Sequence, residues 1–423
     1  METSVALKPP AQSKIGRIIQ SLGPGIMMAT AAVGGSHLVA STKAGAIFGW
    51  QLALLILLVN VLKYPFFRAG VIYTMGTGKS LVAGYAKMGR GYLWLFTLLS
   101  GISAVINTAA LTLFSASLLG LFLPFDLSLP VLSAIVIIAC LTILLRGHYK
   151  ALDSLSKIIM AVLTVTTLIA VVMAVSQVQP LPADFTPPSA WSIASIGFIV
   201  ITMGWMPAPI EISCLTSLWL KRQCQETKVT NKSALFDFNI GYFSTALLAI
   251  VFLALGALVL HGQTDSLAKS GIAFSHQLVG MYASAIGEWS RLLISVVAFG
   301  CIFGSTITVI DGYARALAEA KSQIQNPDSE VEPRHNSWML LISACAMAVI
   351  LFFVSSLMSM LNFAMVLAFM TTPIFAFLNY RLVTKTELPK ELALSKKMKV
   401  LSWLGLAYLF GFLALFIWWK WLM

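Results

Sequence analysis

Charge is what this sequence has least of. Only 10% of its 423 residues are Asp, Glu, Lys or Arg, against the roughly 25% of an ordinary soluble domain, so the chain is not built to be surrounded by water. Cysteine is sparse as well. Cys140, Cys214, Cys224, Cys301 and Cys345 are scattered with no CxxC pair, and they read as small buried apolar residues rather than as a disulfide or zinc framework. Grouped histidines are missing: His37, His148, His261, His276 and His335 form no HExxH or similar set, and no GxxxxGK[ST] loop occurs. These absences argue against an enzyme, a bound cofactor and a nucleotide-driven pump. Long polar stretches are missing too. The longest, at about 68–91, 322–336 and 385–399, are too short for a soluble signalling domain, which argues against a sensor or receptor that has kept the architecture of a transporter and lost transport.

Apolar runs fill the space that charge leaves. Stretches of about 20 residues, each long enough to cross a hydrocarbon core of roughly 30 Å, recur at 17–45, 50–72, 92–118, 128–146, 150–177, 192–220, 236–261, 278–321, 337–356, 360–384 and 400–422. The expectation is an all-α integral membrane protein with eleven spans in a cell membrane. The opening METSVALKPPAQSKIGR is polar and basic and is followed by no small-residue cleavage pattern, so residues 1–16 are expected to be a retained tail. A net charge of +12 would suggest nucleic acid in a soluble protein. Here the basic residues gather on one side: Lys8, Lys14 and Arg17; Arg68, Lys79, Lys87 and Arg90; Arg146 and Lys150; Lys221, Arg222, Lys228 and Lys232; Lys321 and Arg334; Lys385, Lys390, Lys396, Lys397 and Lys399. The other side has none in 178–190 and only Lys269 in 262–277. This is the positive-inside pattern, so the partner is the lipid bilayer and not nucleic acid, the N-terminus is expected in the cytoplasm, and an odd span count puts the C-terminus outside.

Two spans contain helix breakers near mid-membrane. The first reads GPGIMMATAAVGGSHLVASTKAG, with Gly34 and Gly35 adjacent, and the sixth reads IGFIVITMGWMPAPIEISCLTSL, with Pro207 and Pro209. Breaks five spans apart are the pattern of a transporter made of two inverted five-helix repeats, here 17–177 and 192–384 with 400–423 as an additional span. Pro207 and Pro209 carry no N–H, so the carbonyls of Met203 and Trp205 lose their helical partners, which a bilayer tolerates only where protein, water or ligand satisfies them. Pro207 suits the first position of a new half-helix, with Glu211 on its first turn. Gly34, Gly35 and Ser36 allow close approach and offer backbone N–H groups to an anion at a half-helix start. Kinks used only for packing are the plain alternative, since glycine and proline are common in membrane helices.

At these residues the chain resembles the Nramp family of metal-ion transporters, whose members share the LeuT-type fold. The resemblance runs through GPG at 23–25, AGAIFGW at 44–50, TGKSL at 77–81, GHYKALDSL at 147–155, SIGFIVITMGWMP at 195–207, FGSTITVIDG at 303–312 and LNFAMVLAFMTTPIF at 361–375. It implies a LeuT-type 5+5 inverted repeat with broken helices 1 and 6. The family's Asp-Pro-Gly-Asn in the first break corresponds to Gly34-Gly35-Ser36-His37, and its Met-Pro-His-Asn in the sixth to Met206-Pro207-Ala208-Pro209. A small family residue one turn earlier falls on Met203, and a glutamine often contributed by the tenth helix falls on Thr371.

Glu211 is the only acidic residue near the midpoint of the sixth span, where an ionisable side chain costs about 2.5–3.5 kcal/mol to insert; substrate or proton binding is its expected role, with a structural ion pair as the alternative. His37, in the other break, is expected to face it. Asp237 and Asp311 are further candidates for proton or ion coupling, and contact with water, Lys232 or Arg315 is their plain reading. Met206, His37 and Glu211 are the candidate metal donors. Gly34, Gly35, Ser36, His37, Met203, Trp205, Met206, Glu211 and Thr371 are the candidate substrate contacts. The expected function is alternating-access transport driven by a proton or ion gradient. The family precedent is a divalent cation, whereas the glycine break and Glu211 also suit a small amino or carboxylic acid.

Overall fold

The computed structural model describes residues 22–146, 149–176, 181, 185–262, 271–326, 334–353 and 357–421; the tail at 1–16, His148 and Lys269 lie outside them. Fifteen α-helices follow one another among the described residues. The first span comprises α1 (Pro24–Ala32), a π-helical turn at Ser36–Ser41, and α2 (Thr42–Phe48). Then come α3 (Ala53–Thr77), the short α4 (Leu81–Met88), α5 (Arg90–Leu119), α6 (Leu129–Leu145) and α7 (Tyr149–Val175). The sixth span is split into α8 (Ile196–Trp205) and α9 (Ile212–Glu226). The rest are α10 (Asn231–Val259), α11 (Gly271–Ile286), α12 (Arg291–Gln325), α13 (Asn336–Phe353), α14 (Leu357–Lys385) and α15 (Lys396–Trp421).

Seven of the described helices are long and apolar enough to cross a membrane unaided: α3, α5, α7, α10, α12, α14 and α15. The apolar α6 and α13 are shorter, and the first and sixth spans are the interrupted ones. Local chemistry sets many of the ends. Gly78 adopts a left-handed φ of 69° after α3 and returns its N–H to the Thr74 carbonyl at 2.8 Å, the usual way a helix closes its last turn. Ser80 caps α4 by accepting the Ala83 N–H at 3.1 Å, and Thr230 with Ser233 forms a reciprocal cap on α10.

Two expectations need correction. The run 278–321 is not one span, because Gly287, at φ 120°, separates α11 from α12. Such a backbone suits glycine, and the Glu288, Ser290 and Arg291 that directly follow it mark a polar boundary that the long apolar run on either side overran. The stretch 68–91 is not a simple loop either, since it holds the end of α3 and all of α4.

The first span is seated on α10 by backbone contact. A Cβ on Gly25 would lie 2.3 Å from the Asp237 carbonyl oxygen, and one on Gly241 would lie 2.1 Å from that of Gly25. Beyond the break the two helices meet as closely, Gly45 against the Leu253 carbonyl oxygen (2.0 Å) and Gly256 against that of Thr42 (2.2 Å). Small residues permit this approach, which gives helices in a bilayer their van der Waals attraction. In the sixth span Gly204 packs on Met365 of α14, 2.0 Å from its carbonyl oxygen by the same measure. By contrast, only 28% of the apolar stretches of α7 and α15 are buried, so these two helices lie at the perimeter, where lipid covers them.

Candidate functional site

Helix α8 ends at Trp205 because Pro207 and Pro209 cannot supply the next N–H groups. Its orphaned carbonyls have a partner that sequence reasoning missed. Lys63, fully buried on α3, donates from Nζ to the carbonyl of Met203 at 2.7 Å, with Gly204 at 3.4 Å and Ala208 at 3.5 Å. The ammonium thus sits on the negative end of the α8 dipole, where a cation is favoured. The signal was available: a lysine inside the apolar run 50–72 is as exceptional as Glu211 in the sixth span.

Past the break, α9 begins at Ile212, with Glu211 as the residue that precedes its first turn. The Glu211 carboxylate is buried and accepts from Ser103 at 3.2 Å, from Asn107 at 3.5 Å and from the Tyr313 hydroxyl. Asn107 also donates to Tyr313 at 3.0 Å. Ser103 and Asn107 lie four residues apart on one face of α5, and Tyr313 comes from α12, the helix most extensively packed against α5. None of these three was singled out from the sequence, since Ser, Asn and Tyr in a span are not distinctive by type.

His37 does not meet Glu211. Its Nε2 lies 2.8 Å from the Thr245 carbonyl on α10 and its Nδ1 2.5 Å from Ser36 Oγ, while Ser36 donates to the Ala32 carbonyl at 2.6 Å. The imidazole therefore ties the first break to α10 instead of crossing to the sixth span.

A cavity of about 20 Å³, lined by Gly35, Ser36, Asn107, Trp205, Ala208 and Tyr313 among others, lies between the two breaks. On that measure it holds about one water-sized species. Trp205 lies across Gly35, whose Cβ, if present, would be 2.2 Å from the indole ring. The Trp205 indole N–H is buried and has no partner among the described residues. Gly34 turns the other way: a Cβ there would meet Ser305 of α12 at 2.7 Å.

The remaining candidates lie apart from the cavity. The Met203 and Met206 side chains pack in an apolar cluster with Ile56, Val59 and Phe369, and the Tyr408 hydroxyl reaches the Met203 sulfur at 3.3 Å. Thr371 donates to its own helix at the Ala368 carbonyl, 3.2 Å away. Asp237 accepts the N–H groups of Gly23 at 2.9 Å and Gly25 at 2.7 Å, capping α1. Asp311 takes hydrogen bonds from Trp219 and Arg315, both at 2.9 Å, with His335 at 3.9 Å. Among the described residues no three His, Cys, Asp or Glu side chains come together as a metal cage, so the Met206, His37 and Glu211 donors proposed from sequence stand in three separate surroundings.

Comparison with known proteins places this geometry in context. The profile of the Nramp family, described as natural resistance-associated macrophage protein-like, matches residues 25–419. An uncharacterized protein of Pasteurella multocida (strain Pm70) is 48% identical over 401 residues, covering 94% of this chain and 92% of its own. Among solved structures, a mutant of the Eremococcus coleocola manganese transporter superposes with a TM-score of 0.69 at 14% identity, over 97% of this chain and 88% of that one. Mhp1, a nucleobase-cation-symport-1 family transporter solved in a closed conformation with bromovinylhydantoin bound, gives 0.60 at 13% identity over 94% and 93%. At these identities the likeness is one of fold, and it is a fold shared by transporters of the LeuT type.

Proposed function

This chain belongs to the Nramp family, and from that premise we propose that it is a secondary transporter working by alternating access, with a divalent metal cation as its cargo and a proton or second ion as the driving partner. One observation carries the reading. Two interrupted spans line a cavity, and beside it, with Ala208 common to both, the carbonyls of Met203, Gly204 and Ala208 at the sixth-span break converge on a cation, the Lys63 ammonium. Such a set of oxygens is a cation site already occupied by the protein's own charge. In this reading an incoming metal displaces Lys63 and takes oxygen donors from these carbonyls and from Glu211, the hard ligands that divalent cations favour. Met206 reaches the metal only after leaving its apolar cluster. Glu211 and His37 are the groups proposed to carry the coupled proton.

A second reading is favoured by the unpartnered Trp205 N–H. A buried donor on a residue that lines the cavity suits a ligand with a hydrogen-bond acceptor, and a small carboxylic or amino acid would also be attracted by Lys63. Lys63→Met separates the two. At about 6 Å and an effective dielectric near 20, one unit charge acts on another with about 3 kcal/mol, more than a hundredfold in affinity. Under the metal reading, manganese binding to purified protein should tighten at least tenfold in the variant. Under the organic reading, binding of the acid should weaken by a similar factor. Manganese binding of unchanged strength in a folded Lys63→Met protein would sink the displacement mechanism.

A further inference from the structure

We propose that a cleft at the basic end of the bundle, distinct from the cavity between the breaks, binds a phosphate group, and that the headgroup of an anionic phospholipid supplies it. The cleft has a volume of about 360 Å³ and is lined by Tyr73, Thr77, Lys87, Arg381, Lys385 and Thr386, with Met88 and Leu382. It opens where α3, α4 and α14 leave the apolar part of the fold, on the side that the charge pattern assigns to the cytoplasm.

The lining carries three cations and no carboxylate. Among the described residues Lys87, Arg381 and Lys385 form no ion pair within 4.0 Å. Lys87 and Lys385 also stand in the last turns of their helices, where they complement the helix dipoles. That explanation falls short of the charge present. Each helix end contributes about half a negative charge, so the three ends of α3, α4 and α14 offset about half of the three positive side chains. A positive remainder of more than one unit charge faces the cleft.

The geometry narrows the ligand further. Arg381 lies over the Tyr92 ring, 5.3 Å from its centroid, which holds the guanidinium on one side and leaves its fork of N–H donors for a planar or tetrahedral oxyanion. Thr77 and Thr386 spend their hydroxyl protons on the carbonyls of Tyr73 and Leu382, each at 2.8 Å, so neither is left for a ligand and the charged donors of the lining are the three cations. A volume of 360 Å³ is about eighteen times that of the cavity between the breaks and accommodates a headgroup. Met88 and Leu382 supply an apolar margin on which a glycerol backbone can rest. Basic pockets between spans on the cytoplasmic side are where phosphate headgroups are held.

The test compares wild type with Arg381→Gln/Lys385→Gln, both in detergent and both checked for an unchanged unliganded thermal midpoint. Short-chain phosphatidylglycerol, phosphatidylcholine and inorganic phosphate are the probes, and binding is read by native mass spectrometry and thermal shift. The expected result is retention of phosphatidylglycerol over phosphatidylcholine by wild type, weakened at least tenfold in the double variant and by a smaller factor in Arg381→Lys, which keeps the charge and loses the fork. Binding of inorganic phosphate with the same dependence on Arg381 and Lys385, but no preference between the lipids, supports the phosphate site and assigns it to a soluble source. Binding of neither probe, or binding that the double variant leaves intact, overturns the proposal. Because the cleft shares no lining residue with the cavity between the breaks and includes neither Lys63 nor Glu211, this outcome is independent of which solute is transported.

Discussion

Glu211 and Lys63 are two opposite charges on either side of one break, and they do not touch. Each is held by neutral groups: the carboxylate by Ser103, Asn107 and Tyr313, the ammonium by carbonyls. A structural ion pair would have brought them together, because a buried charge without its partner is costly. Keeping them apart leaves each available to a mobile charge. Glu211→Gln keeps the shape and an acceptor oxygen, so the protein is expected to fold with a stability within about 1 kcal/mol of wild type, while transport in proteoliposomes falls at least tenfold. Wild-type transport with wild-type pH dependence in that variant would remove Glu211 from the mechanism. The carboxylate was legible in the sequence because one acid in a long apolar run stands out. Its surroundings were not, since the Tyr313 that meets it lies 102 residues away and nothing in residue type announces such a meeting. The pairing of His37 with Glu211 failed for the same reason: Thr245, 208 residues further along, is nearer to the imidazole.

Half-helices need ends, and α1 receives its first one from another element. The Asp237 carboxylate takes two backbone N–H groups of the Gly23–Gly25 turn, a charge-assisted cap at the positive end of the helix dipole. Asparagine can accept only on one arm and would aim an N–H at the other donor. Asp237→Asn is therefore expected to cost about 1.5–3 kcal/mol, read as a lowered thermal midpoint in detergent, with a larger effect on transport if α1 swings about this anchor. An unchanged midpoint would show that the cap contributes nothing. Most elements were readable beforehand because a run of about 20 apolar residues has few other fates than to cross the bilayer, and because Pro207 and Pro209 break a helix whatever surrounds them. The break at Gly287 was readable and passed over: Glu288 and Arg291 follow it directly, and two charges at one point of an apolar run mark an end, which the positive φ of Gly287 then makes.

At the scale of the whole molecule, the charge pattern predicts a sidedness that the native cysteines can report without engineering. Of the five, Cys140, Cys214 and Cys301 are buried, Cys345 is intermediate, and Cys224 at the end of α9 is exposed. A membrane-impermeant maleimide is expected to label Cys224 in inside-out vesicles and to leave it unlabelled in right-side-out ones. The reverse result would invert the orientation and put the phosphate cleft on the outer face. The overall architecture holds one more consequence, in the glycine contacts between the first span and α10. Gly25 and Gly241 before the break, and Gly45 and Gly256 beyond it, each face backbone atoms of the opposite helix with no room for a methyl group. A side chain at any of them meets a backbone that no substitution opposite can cut back, so lineages that keep this packing should hold all four as glycine. In an alignment of relatives of this chain, columns 25, 45, 241 and 256 are expected to stay invariant, the historical record of a seam along which the two helices have travelled as one piece.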